Sequence, residues 1–232
     1  MLEIAGRSIM NEPHEILSPR HTALIVIDMQ NDFVSDDGKV AAAGNDPSAI
    51  QAIVPALERL LEGARAAGVL VVHIETIVLA GHRSDSDSWL YSKLKGVSSA
   101  DWCLEGTWGA ELIPELTPIK GEPVVTKYRS SAFINTNLDL ILRSNGIRTV
   151  VICGEQTPGC VDATLRDSTF YDYYNALVED AIAAYRQDLH EAALLIQRAR
   201  HQVLRVDELL SIWGVGGSGE RVASTSSATT SA

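Results

Sequence analysis

Three stretches of the chain, Thr22–Ile27, Val69–Ile74 and Thr149–Cys153, are apolar at almost every position and rich in valine and isoleucine. A strand with one wet face alternates apolar with polar residues. A strand that does not alternate needs cover on both sides, which is the situation inside a parallel sheet flanked by helices. Between the first two stretches, Pro47 to Ala67 carries Ile50, Ile53, Val54, Leu57, Leu60 and Leu61 at three- and four-residue spacings, and Gly68 closes it. That spacing predicts a helix, and strand, helix, strand in this order is a βαβ unit. The alternation continues downstream. Val124–Lys127 is predicted as a short strand and Leu138–Asn145 as a helix stopped by Gly146. Val161–Tyr173 and Asp188–Arg200 are predicted helices, Asn175–Asp180 and Val203–Val206 strands, and Asp207–Ile212 a short helical turn. About six such units predict an α/β chain, a three-layer αβα sandwich around a central, about six-stranded, mostly parallel sheet.

The folded domain is expected over 21–213. Residues 1–20, with Pro13 and Pro19, read as an irregular lead-in, and 214–232, built almost wholly of Gly, Ser, Thr, Ala and Val, as a tail too poor in apolar mass to order itself. Between Leu79 and Gly109 the chain turns polar and aromatic, with Trp89, Tyr91, Trp102 and Trp108. This reads as a long excursion over the sheet that shapes a pocket. The formal net charge of -11 argues against nucleic acid or an anionic membrane as partner, but not against a small anionic substrate met by a local cation. Three cysteines without a CxxC pair form neither a disulfide framework nor a zinc site. With no apparent signal peptide and no apolar run of membrane-spanning length, a cytoplasmic location is expected, where a reactive thiol persists.

In open α/β sheets ligands bind beyond the carboxyl ends of the strands. Here those ends carry a carboxylate, Asp28, an ammonium, Lys127, and a thiol, Cys160, the last in the turn Gly154–Cys160 between strand and helix. Taken singly, Asp28 is a turn residue, Lys127 a surface cation and Cys160 core filler. Together on one rim they supply a nucleophile, a proton acceptor and a charge that favours thiolate. A helix N-terminus beside Cys160 is expected to favour thiolate further.

These segments resemble the isochorismatase-like cysteine hydrolases. The likeness rests on Ala23–Phe33, on Lys127–Phe133 and on Gly154–Val161, in that order, and extends over roughly residues 20–213. The resemblance implies an amide hydrolase with a Cys160–Asp28–Lys127 triad, no cofactor, no metal and a homo-oligomeric assembly, dimer or tetramer. It implies a cis peptide at Glu155–Gln156, with the Gln156 and Cys160 N–H groups aimed at the oxyanion. Glu155, Gln156, Pro158 and Gly159 depart from the residues usual in this turn. Gln30, Asn31, Phe33, Tyr128 and Thr157 are candidate substrate contacts, as are Trp89 and Trp108 for an apolar wall. Arg83 and Arg129 are candidates for pairing with a substrate carboxylate. Within the family the likeness is densest to ureidoacrylate amidohydrolases, then to N-carbamoylsarcosine amidase. This predicts hydrolysis of a small linear amide, ureido or carbamoyl compound through a thioester, with release of ammonia. Nicotinamidase- or isochorismatase-type hydrolysis and a non-catalytic binding role are the alternatives. His73, inside a predicted strand, reads as a core histidine.

Overall fold

A computed structural model describes residues 1–97 and 99–215. Eight strands occur among them: β1 (Leu2–Ile4), β2 (Arg7–Ile9), β3 (Thr22–Ile27), β4 (Leu70–Thr76), β5 (Val124–Lys127), β6 (Thr149–Glu155), β7 (Tyr174–Ala183) and β8 (Gln202–Leu204). The last six form one sheet in the order β5-β4-β3-β6-β7-β8, every pair parallel. Every residue of β3 and β6 is buried, as strands without a polar face require.

Six helices matter below: α1 (Val54–Ala67), α2 (Asp87–Val97), α3 (Leu138–Ser144), α4 (Asp162–Phe170), α5 (Gln187–Arg198) and α6 (Val206–Ile212). The sheet sorts its residues by parity. Leu24 and Val26 pack with Leu57, Leu60 and Leu61 of α1 and Leu209 of α6. Ala23, Ile25 and Ile27 pack on the opposite face with Leu138 and Leu142 of α3, Leu165 of α4 and Leu194 of α5. The expected αβα sandwich is therefore present. No helix among the described residues is long and apolar enough to cross a membrane.

The structure corrects the sequence reading at several points. The lead-in is not irregular. β1 and β2 pair antiparallel around Ala5 (φ 51) and Gly6 (φ 73), the left-handed pair that a two-residue hairpin turn needs. Pro13 and Pro19 each open a helical turn, Pro13–Ile16 and Pro19–His21, because a first-turn residue needs no N–H donor. The helix expected from Pro47 is split into Ser48–Gln51 and α1, since in a continuous helix the ring of Pro55 would clash with the carbonyl of Gln51. The excursion after Leu79 contains α2. The helix expected from Val161 begins at Asp162 and follows a wide π-type turn, Thr157–Val161. Of the tail, 216–232 lies outside the described residues.

The excursion is fastened at both feet. Val78 bridges Leu104, and Gln30 bridges Leu112. Asp32 accepts from the Cys103 N–H at 2.7 Å and from the Lys39 N–H at 3.0 Å. A Cβ on Gly109 would lie 2.2 Å from the Asp32 carboxylate, so the crossing tolerates no side chain there.

Gly154 is a point of close approach in the sheet, with φ +106 and a hypothetical Cβ 2.2 Å from the Ile27 carbonyl oxygen of β3. Gly68, with φ +72, has open space around it. Denaturant titration of Gly154→Ala is expected to show a loss of about 3 kcal/mol or more, from strain plus overpacking. Gly68→Ala should lose only about 1 kcal/mol, from backbone strain alone.

Candidate active site

The strand order reverses direction between β3 and β6. The chain leaves β3 towards the β4–β5 edge, and after β6 it runs towards β7 and β8. A crevice forms at such a switch point, beyond the carboxyl ends of the strands. Asp28 follows β3 directly, with φ 55, a conformation Asp tolerates better than most residues. Lys127 is the last residue of β5, and Thr76 the last of β4. Cys160 lies in the Thr157–Val161 turn after β6. The peptide Glu155–Gln156 is cis, as the resemblance implies.

The three strand-end groups meet on one atom. Lys127 Nζ lies 2.8 Å from Asp28 Oδ2 and 3.2 Å from Cys160 Sγ. It also donates to Thr76 Oγ1 at 2.5 Å and to the Arg129 carbonyl at 3.1 Å. The Thr76 hydroxyl in turn donates a hydrogen bond to Asp28 Oδ1 at 2.9 Å, tying the carboxylate and the ammonium into one frame. Asp28 and Lys127 are wholly buried, whereas Cys160 is partly exposed at the pocket floor. Burial works against the Lys127 charge, but Asp28 and then Cys160 outweigh it and hold the ammonium above its ordinary range. The thiol is balanced the other way. Burial pushes Cys160 up, Lys127 pulls it down, and the Asp28 charge pushes it up again. The net direction is upward, because the lysine charge is already matched by Asp28. The balance favours a neutral thiol beside a buried ion pair, against the thiolate that a helix terminus would favour.

Above the sulfur opens a pocket of about 680 Å³, counted out to its mouth. Phe33, Trp89, Trp102 and Tyr185 form its apolar walls, and Thr76, Ser130, Glu155, Gln156 and Gly159 line its base together with Lys127 and Cys160. Phe33 and Trp102 pack at 5.3 Å between ring centroids. Two cations border the pocket. The Arg129 guanidinium sits 5.1 Å from the Trp89 ring centre, its Nη1 donating to the Ser84 carbonyl at 3.0 Å. Lys93 of α2 is buried, pairs with Asp85 at 2.8 Å and lies 4.3 Å from the Trp102 ring centre.

Of the other candidate contacts, Phe33, Trp89, Arg129 and Gln156 line this pocket and the rest do not. Gln30 is an internal strut, donating to the Thr76 and Ala110 carbonyls and accepting from the Thr76 N–H. Asn31 donates to the Trp108 carbonyl at 2.8 Å. Thr157 bonds His190 at 2.9 Å. Tyr128 lines a separate depression beside Leu79 and Ser84. Arg83 is exposed and Trp108 half-exposed, and neither lines the pocket, whereas Arg129 and Trp102 do. Thr76, Lys93 and Tyr185 were not legible as site residues. Thr76 has a sequence signal, since extending the second apolar run by one pleat ends it on a hydroxyl. Lys93 and Tyr185 have none beyond their type.

The residues match the isochorismatase domain model over 22–206. The chain belongs to the isochorismatase family. It is 38% identical over 178 residues to the ureidoacrylate amidohydrolase RutB of Enterobacter sp. strain 638, covering 71% of this chain and 76% of that protein. A cysteine hydrolase from Pseudomonas syringae pv. phaseolicola superposes with a TM-score of 0.74 at 26% identity, covering 86% of this chain and 95% of that one. N-carbamoylsarcosine amidase from Thermoplasma acidophilum superposes with a TM-score of 0.66 at 30% identity, covering 81% and 97%. Membership makes the chain a hydrolase. Among the described residues no group of three or more His, Cys, Asp and Glu side chains is arranged to hold a metal ion. His73 is a core residue of β4, its Nε2 3.1 Å from Glu122, and burial keeps it neutral.

Cys103 and Cys153 are wholly enclosed, and burial raises both thiols. Brief iodoacetamide treatment of the native protein is therefore expected to label Cys160 alone, as read by peptide mass. Because the Cys160 thiol is also held high, its labelling rate should keep rising through the alkaline range. A plateau near neutral pH would contradict the neutral-thiol description.

Proposed function

We propose that this chain is a cysteine amidohydrolase of small linear amide, ureido or carbamoyl compounds, with Cys160 as nucleophile. The observation that carries the reading is one buried ammonium, Lys127, in contact with both Asp28 at 2.8 Å and Cys160 at 3.2 Å. A neutral thiol beside a carboxylate whose charge is already balanced can pass its proton to Asp28 as the sulfur attacks. Asp28 and Cys160 contact the same Lys127 ammonium, which places the acceptor and the thiol on either side of one charge. The positive charge of Lys127 then stabilises the sulfur as it loses its proton.

In the first half-reaction the S–C bond forms as the carbonyl π pair moves to oxygen, with the Gln156 and Cys160 N–H groups as proposed oxyanion donors. Collapse breaks the C–N bond, and Asp28 returns the proton to the departing nitrogen, which leaves as ammonia. In the second half-reaction Asp28 takes a proton from water, hydroxide adds to the thioester, and the thiol is regenerated. Arg129 at the pocket edge suits a substrate carboxylate, since its guanidinium pairs bidentately with such a group. The names of the relatives, a ureidoacrylate amidohydrolase and an N-carbamoylsarcosine amidase, support the same substrate class.

Ammonia release measured over a panel of ureido, carbamoyl and amide acids is the test. At least one compound should turn over, and Cys160→Ala and Asp28→Asn should each lower kcat by about 10³-fold or more. Activity undiminished in Cys160→Ser would redirect the reading to vinyl-ether hydrolysis, and no turnover of any compound would remove it.

A further inference from the structure

Glu155 is the anomaly of the pocket. It closes β6, lines the cavity beside Cys160 and is only 2% exposed. No cation forms an ion pair with it among the described residues, and the pull of Lys127 is smaller than the effects of burial and Asp28. Lys127 is committed to Asp28, Thr76, Arg129 and Cys160. Asp28 is itself an anion. The Tyr185 hydroxyl lies against the carboxyl but donates its proton to the Phe33 carbonyl at 2.9 Å. Burial, then the Asp28 charge, push Glu155 well above the usual carboxylate range, against a smaller pull from Lys127 and Tyr185, and so favour its neutral form. Oε2 has no hydrogen-bond partner among the described residues. A buried acceptor left unpaired is costly, and in a pocket it points to a donor that arrives with the ligand.

We propose that Glu155 is a specificity-determining residue whose Oε2 accepts a hydrogen bond from a substrate N–H flanking the scissile carbonyl. The pocket thereby selects ureido or carbamoylamino compounds, R–NH–CO–NH2, over plain carboxamides, R–CH2–CO–NH2. The inference rests on the amidohydrolase reading and narrows its substrate class. A site built around such a bond discriminates against the analogue lacking it far more strongly than apolar contact does, because the analogue leaves the acceptor buried and bare. An ionised carboxylate in the same place would instead select a cationic substrate.

The test compares a ureido acid with its methylene isostere, equal in length and charge, in the wild type, in Glu155→Leu and in Glu155→Gln. The wild type is expected to favour the ureido compound in kcat/KM by about 100-fold or more. In Glu155→Leu that ratio should collapse towards unity. Glu155→Gln, which keeps a neutral carbonyl acceptor, should retain most of it. A wild type without the preference, a ratio unchanged in Glu155→Leu, or a ratio lost equally in Glu155→Gln overturns the proposal. If the wild type hydrolyses neither compound, the amidohydrolase reading fails instead, and calorimetric Kd values for the pair still decide the role of Glu155. A tighter Kd for the ureido compound that vanishes in Glu155→Leu upholds it, and equal Kd values in the wild type sink it.

Discussion

One buried ammonium organises this molecule. Lys127 Nζ sits where water does not reach, and four groups from four segments converge on it: Asp28 after β3, Thr76 at the end of β4, the Arg129 carbonyl after β5 and Cys160 after β6. A lone charge so deep would be expelled or neutralised, and removing one member of such a pair commonly costs about 3–5 kcal/mol. The pair is therefore a structural commitment as much as a chemical one. It locks the carboxyl ends of neighbouring strands in register, and the sulfur is held at a fixed distance from a full positive charge. The fold serves that arrangement directly. The sheet order places β6 against β3 through Gly154, the residue whose missing side chain lets the nucleophile strand come close.

Most of the scaffold was legible because buried parallel strands leave an unmistakable trace. The runs at 22–27, 69–74 and 149–153 have no polar face, and each became a sheet strand within two residues at either end. The strand-end chemistry was legible for the same reason, since a polar residue closing an apolar run must sit at the rim. What the pattern does not carry is reach across the fold. Tyr185 enters the pocket from the far end of β7, and Lys93 from a helix inside what reads as loop. Neither has a local signature, because what matters is where the backbone delivers them. Gln30 and Thr157 illustrate the converse. They stand next to site residues in sequence but satisfy backbone and histidine partners elsewhere. Prolines misled in both directions, opening helical turns at Pro13 and Pro19 and splitting a predicted helix at Pro55.

The pocket is chemically uneven, and that bears on its selectivity. Its base holds Lys127 of the ion pair and the thiol of Cys160. Its sides bring aromatic surface from Phe33, Trp89 and Trp102, and cations from Lys93 and Arg129 that are already partly satisfied by Asp85 and by backbone carbonyls. Such half-engaged cations favour an incoming anion without the full cost of stripping a hydrated one. Glu155 adds to the cavity a carboxyl that burial pushes well above the usual carboxylate range.

The segment between Val78 and Leu112 touches the scaffold by bridges at its two feet and carries α2 between them. Lys93 and Trp89 ride on that helix, far along the chain from the strand ends they face. Such an insertion behaves as an interchangeable cassette: a descendant could rewrite the lining of the cavity residue by residue while the reacting atoms stay where the sheet put them. Diversification of substrate taste in this lineage would then be recorded chiefly as drift in one stretch of chain, with the strand rims left unaltered.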